Sequence, residues 1–160
     1  MIRILTIATF VFALDRGLKY WVVEGLDLRN LGRTEVWPPY LNLHMAWNEG
    51  INFGLFGSGS DVTRWALIAI GLAISLGLLL WFRKAKGRWL QAAVGLVVGG
   101  AIGNIYDRLT YGAVADFLNM SCCGFNNPYA FNVADVAIFI GALGLVFLDM
   151  KQSKKKNRKK

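Results

Sequence analysis

The chain has 160 residues, 55% of them hydrophobic and only 18% charged, with a formal net charge of +8 at pH 7. A chain this apolar cannot stay solvated as a disordered coil, and its two cysteines, Cys122 and Cys123, are adjacent and cannot staple a secreted scaffold. Of the 18 basic residues, seven lie in the last ten positions and four more between Arg83 and Arg88, a pattern of tails and loops that excludes a nucleic-acid groove face. A small membrane protein fits these numbers, with no nucleic acid among its partners.

A bilayer core about 30 Å thick takes about 20 mostly apolar residues per helix. The first such stretch, 4–23, is interrupted by Asp15, Arg16 and Lys19 but runs on into Tyr20-Trp21-Val22-Val23, and no small-residue cleavage site follows it as in a secretory leader. Next comes a long connection, 24–64. In it Leu41, Leu43, Met45 and Trp47 alternate with Asn42, His44 and Ala46, the period-two pattern of a half-buried strand. Pro38-Pro39 stops any helix from running into that strand, Asn48-Glu49-Gly50 supplies turn chemistry, and 51–56 reads as a returning strand. Gly57-Ser58-Gly59-Ser60 is a flexible joint before a second span at 65–82, whose approach Asp61 can cap. A third span at 89–106 carries Gly95, Gly99 and Gly103 on one face, the spacing of close helix packing. The outer loop 107–128 includes an apolar stretch, 112–118, too short to span and suited to the membrane interface. The fourth span, 129–148, contains Asp135.

The expected fold is therefore membrane α-helical: one four-helix domain over 1–150, a small β-sheet on the outer face, and a basic tail at 151–160. The N-terminus, the Arg83–Arg88 loop and the tail hold twelve basic residues against one acid, Asp149, whereas the other two connections, with the ends of their helices, hold six basic and nine acidic. By the positive-inside rule both termini face the cytoplasm. The tail suits anionic lipid headgroups.

Ionisable groups at membrane depth are costly and are functional candidates by default. Asp15 and Lys19, four apart on one helical face, can neutralise each other. Asp107 and Arg108 form either a local ion pair or a lock between helix and loop. Asp135 lies about 9 Å below the outer end of its span. Together with Asp116 it opens two readings. Adjacent and partly desolvated, the two carboxylates would share a proton and do acid–base chemistry on a peptide; apart, Asp116 would serve a cap or loop and Asp135 helix packing. A proton-coupled carrier using Asp15, Asp116 and Asp135 as relays, and a plain membrane anchor, are the rivals outside enzymology. His44 is the only histidine, so a zinc site or a histidine triad lacks residues, and no metal or cofactor is called for.

Four blocks resemble the lipoprotein signal peptidases, the type II signal peptidases of bacteria. They are Asp15-Arg16-Gly17-Leu18-Lys19, Asn48-Glu49-Gly50-Ile51-Asn52-Phe53-Gly54, Gly99-Gly100-Ala101-Ile102-Gly103-Asn104-Ile105-Tyr106-Asp107-Arg108 with Asp116-Phe117 beyond it, and Phe131-Asn132-Val133-Ala134-Asp135. The resemblance implies an aspartyl endopeptidase of the bacterial inner membrane that cuts prolipoproteins just before a diacylglyceryl-modified cysteine, at the periplasmic face. It implies Asp116 and Asp135 as the catalytic pair, with Asn48, Asn104, Arg108 and Asn132 binding substrate or supporting the pair. Asp15, Lys19, Gly100 and Asp107 are implied as structural support. Prolipoproteins and membrane lipids are the expected partners of a monomer. Asn52, Asn119, Tyr129 and the Cys122-Cys123 pair depart from the family's usual residues, which bears on substrate fit and loop shape.

Overall fold

The computed structural model of the chain describes residues 1–50 and 61–157. In order these form α1 (Ile2–Lys19), prolonged by a π-helical segment Tyr20–Gly25, then α2 (Leu28–Leu31), β1 (Arg33–Trp37), β2 (Leu41–Asn48), α3 (Asp61–Phe82), α4 (Arg88–Tyr111), β3 (Val114–Met120) and α5 (Val133–Asn157). Among the described residues two helices, α3 and α4, are long and apolar enough to cross a membrane, and Val133–Leu148 of α5 is a shorter apolar stretch. The third expected span ends later than 106. α4 continues to Tyr111 and stops at Gly112, whose φ of +82° suits glycine and whose N–H donates to the Arg108 carbonyl at 3.2 Å. The last helix starts at Val133 rather than 129, so Asp135 sits in its first turn and not well inside it.

α4 is the central helix and packs against α1, α3 and α5. Its glycines explain how closely. A Cβ on Gly99 would sit 2.6 Å from the Ala8 carbonyl oxygen of α1, and one on Gly95 2.9 Å from the Ile4 carbonyl oxygen. Gly103 faces the Asp15 carboxylate, and Gly100, one residue round from Gly99, meets the Ala134 carbonyl of α5. The small-residue face thus receives α1, and Gly100 opens a second close approach to α5. Ile4, Ala8, Val94 and Val98 form the buried core between α1 and α4. The outer surfaces are apolar instead: Ile70, Ile74, Leu76 and Trp81 on α3 and Phe139, Ile140 and Phe147 on α5 are all exposed.

The sheet is antiparallel, in the order β1-β2-β3. β2 is the strand expected at 41–47. Its expected hairpin partner, 51–56, and the joint at 57–60 lie outside the described residues. Its observed neighbours are β1 and β3, and β3 corrects the reading of 112–118 as an interfacial apolar stretch. That stretch is apolar because it is sheet core: Val114, Ala115 and Phe117 are buried, and Phe117 joins Val22, Leu28 and Leu43 in a second core under the sheet. Pro38-Pro39 lies in the connection between β1 and β2. The simple alternation along 41–47 fails as well, for Asn42 is buried while Trp47 is exposed. A bulge between Leu43 and Ala46 shifts the register, pairing Leu43 with Leu118 but Ala46 with Asp116. Carried on without the bulge, the upstream register would set Met45 opposite Asp116 and turn Asn48 to the far face.

Candidate active site

The start of α5 organises the site. Asn132 accepts the Asp135 backbone N–H on its Oδ1 at 2.9 Å, and the Asp135 carboxylate accepts the Asn132 backbone N–H on its Oδ2 at 3.2 Å. This reciprocal pair is a capping box, with asparagine at the cap and aspartate three residues on. The Ala134 N–H between them donates to Asp15 Oδ1 of α1 at 3.1 Å. Two otherwise orphaned helix donors are therefore met by side chains, and a carboxylate at a helix N-terminus is favoured by the dipole. Asp135 is a capping residue by local structure, not the helix-packing residue its position in the span suggested.

Asn132 is fully buried and faces two ways. Its Nδ2 donates to Asp116 Oδ1 at 2.6 Å and also lies 3.3 Å from Asn104 Oδ1. Asn104, on α4, donates its own Nδ2 to Asp135 Oδ1 at 2.8 Å. Asp116 Oδ2 accepts from Asn48 Nδ2 at 3.1 Å, a reach that the β2 bulge makes possible. Both carboxylates therefore bracket Asn132, each held by a pair of N–H donors. Burial, and then the negative charge of Asp135 nearby, push the Asp116 carboxyl up to about 6, against the opposing hydrogen bonds of Asn48 and Asn132 and the charge of Lys19.

Beneath the site lies a buried ionic cluster. Lys19 Nζ is 2.9 Å from Asp15 Oδ2 and 2.5 Å from Asp107 Oδ2, and all three side chains are at most 1% exposed. The Asp15–Lys19 pairing holds, with Asp107 added to it. Asp107 also accepts from Arg16 and from the Ala115 N–H of β3 at 3.2 Å, so of its two expected roles it takes the helix–loop lock and leaves Arg108 aside. Lys19 reaches Asn104 Oδ1 at 3.5 Å, joining the cluster to the carboxylate pair. Arg16 was not singled out from the sequence, although it stands inside the same charged block.

Arg108 donates one Nη1 bond to the Asn104 carbonyl at 3.3 Å, while its buried Nε has no partner among the described residues. Asn119 was noted only as a departure from family usage. It proves to hold the β3–α5 loop, donating from Nδ2 to the Asn127 carbonyl at 2.7 Å and the Tyr129 carbonyl at 2.8 Å. Among the described residues, no three His, Cys, Asp or Glu side chains gather as a metal-binding set.

Polar side chains converge from α1, α4, β2, β3 and α5 around two carboxylates that share a buried asparagine, a candidate hydrolytic site on a largely apolar helical frame. The family profile described as Signal peptidase (SPase) II matches residues 7–151. A protein named lipoprotein signal peptidase from Methylorubrum extorquens (strain PA1) is 43% identical over 136 residues, covering 84% of this chain and 77% of that protein. A like-named protein from Methylobacterium radiotolerans is 41% identical, covering 91% of this chain and 84% of its own. A solved structure described as a bacterial membrane enzyme, determined by the in meso method at 2.3 Å resolution, superposes with a TM-score of 0.77 at 29% identity, covering 96% of this chain and 90% of that one. The chain belongs to the signal peptidase II family, bacterial proteases of lipoprotein processing.

Proposed function

We propose that the chain is an intramembrane aspartyl endopeptidase that removes signal peptides from prolipoproteins, cutting immediately before the diacylglyceryl-modified cysteine. The observation that carries this reading is the bracketing of Asn132 by Asp116 and Asp135. Asp116, pushed up to about 6, is the carboxyl suited to hold the shared proton and to donate it to the carbonyl oxygen of the scissile peptide. Asp135 takes a proton from the attacking water. When the tetrahedral intermediate collapses, that proton passes to the departing amine, a hydroxyl of the intermediate returns its proton to Asp116, and the pair is back in its starting state. Asn104, Asn132 and Asn48 orient the carboxylates without adding charge, and the unused donors of Arg108 suit substrate carbonyls.

The outward-facing apolar side chains of α3 and α5, set against a polar and ionic interior, support embedding in a bilayer. In this reading α1, α3, α4 and α5 all span as one domain, both termini lie in the cytoplasm, the sheet and the carboxylate pair lie toward the periplasmic face of the inner membrane, and the enzyme acts as a monomer.

The test is cleavage of a diacylglyceryl-modified prolipoprotein by purified wild type, Asp116→Asn and Asp135→Asn, scored by mass spectrometry. Asparagine at 135 keeps an acceptor for the capping box, so the variant removes the acid–base group and spares the helix start. Cleavage before the lipidated cysteine is expected for wild type and absent for both variants at normal abundance. Near-normal turnover by either variant would sink the dyad.

A further inference from the structure

Cys122 and Cys123 take no part in the site above, and they are the chain's only cysteines. Both are exposed free thiols. They occupy a tight turn: the Phe125 N–H donates to the Cys122 carbonyl at 2.9 Å, and the central residues Cys123 and Gly124 have φ of +57° and +82°. Positive φ at both central positions is the type I′ pattern, whose first central position ordinarily takes asparagine, aspartate or glycine. Cysteine there occupies the left-handed region that side chains seldom adopt, and such outliers persist where something else holds them. In an extended strand, neighbouring side chains point to opposite faces. Here the neighbouring Cys123 side chain lies close enough to push the Cys122 thiol up. The result is a pair of sulfurs within mutual reach and open to solvent, on the connection that leads from β3 to α5.

We propose that Cys122 and Cys123 form a vicinal dithiol modification site that reacts with disulfide-bearing oxidants and closes into a disulfide between adjacent residues. One thiolate attacks a sulfur of the oxidant RSSR, breaking its S–S bond, forming a mixed disulfide and releasing RS⁻. The neighbouring thiolate then attacks the cysteine sulfur of that mixed disulfide, forming the Cys122–Cys123 bond and expelling the second RS⁻. The protein gives up two protons and two electrons, and the oxidant is reduced to two thiols. The second step is intramolecular and favoured by the adjacency of the two cysteines in one tight turn. Adjacent Cα atoms lie about 3.8 Å apart, short of the roughly 4.4–6.8 Å that ordinary disulfides span. Such a ring is strained and easily reduced, so the site is reversible and is no structural staple. Asn119 and Ser121 anchor the loop on either side of the turn, through Asn127 and Tyr129, and confine the chemistry to its tip.

The test treats the purified full-length protein in detergent with a chromogenic aromatic disulfide and follows released thiolate and intact mass. Two equivalents of thiolate per chain are expected, with a product lighter by two hydrogen atoms, free of adduct and restored by dithiothreitol. Cys122→Ser and Cys123→Ser should each release one equivalent and retain one adduct. Phenylarsine oxide, which bridges two thiols, should block the wild type at one equivalent and be washed out of either single variant. A wild type that keeps two adducts, or that joins into disulfide-linked dimers, would overturn the proposal. None of these readouts depends on peptidase activity, so the site stands or falls separately from the proposed function.

Discussion

Asp116 carries the sharpest consequences at the scale of single residues. Its carboxyl is pushed up to about 6, so the native state holds that proton more tightly than the unfolded chain does. The resulting contribution to stability is present below the ordinary carboxylate range and is lost as pH rises to about 6. The same proton is the one proposed to reach the substrate, so kcat/KM, which reports the free enzyme, should fall as pH rises through that value. Asn48 donates a hydrogen bond that opposes the upward shift. Asn48→Ala should therefore move the falling limb to higher pH as well as lowering kcat, and a limb that stays put would detach Asn48 from the titration. Asn119 makes a different kind of prediction. It is 3% exposed and donates two bonds to carbonyls. An ionised aspartate has no donors, so Asn119→Asp should cost about 1–3 kcal/mol, read as a lower midpoint in thermal unfolding.

Between elements, the tight contacts of α4 decide what can change. Alanine in place of a helical glycine ordinarily gains about 1 kcal/mol of helix propensity. At Gly100 the added Cβ meets the backbone carbonyl of Ala134, which cannot swing aside as a side-chain tip can. Overpacking of that kind costs about 1–3 kcal/mol, and the displaced segment carries Asp135. Gly100→Ala should therefore lower both stability and cleavage, whereas Gly17→Ala, with nothing within 4 Å of its added Cβ, should keep both. Equal behaviour of the two variants in denaturation would show that α4 and α5 have room to part. The β2 bulge works at the same scale: one extra residue in a strand decides whether Asn48 faces Asp116 or turns its back on it.

Across the whole molecule, polarity is turned outside in. Large apolar side chains face outward on α3 and α5, and Asp15, Lys19 and Asp107 are buried where α1, α4, β3 and α5 meet. Breaking a buried ion pair by removing one partner costs about 3–5 kcal/mol, because the remaining charge is left uncompensated. Lys19→Met leaves the two buried carboxylates of Asp15 and Asp107 with Arg16 as their remaining ion-pair partner among the described residues and should unfold the protein at markedly lower temperature in detergent. Adding Asp107→Asn to Lys19→Met removes one of the stranded charges and should recover part of the loss, a coupling that a double-mutant cycle measures. Strict additivity of the two changes would mean that the cluster is not one unit.

Local order and composition by themselves determined much of this protein. Runs of apolar residues marked the places of the helices, the spacing of Gly95, Gly99 and Gly103 marked a packing face, and the blocks around Asn104, Asp116 and Asn132–Asp135 identified the family and its polar residues. These signals lie within a few residues of one another, where helix periodicity and side-chain chemistry act directly. Tertiary structure alone decided that 114–120 is a strand paired to β2, that Asp107 answers to Lys19 and Arg16 instead of its neighbour Arg108, and that Asp15 of α1 accepts the Ala134 N–H at the start of α5. Each depends on which backbone donor or opposite charge arrives from far along the chain, over 80 residues away for the contact between Lys19 and Asn104. Buried polar groups must find partners wherever the fold supplies them, and periodicity within one segment carries no record of that choice.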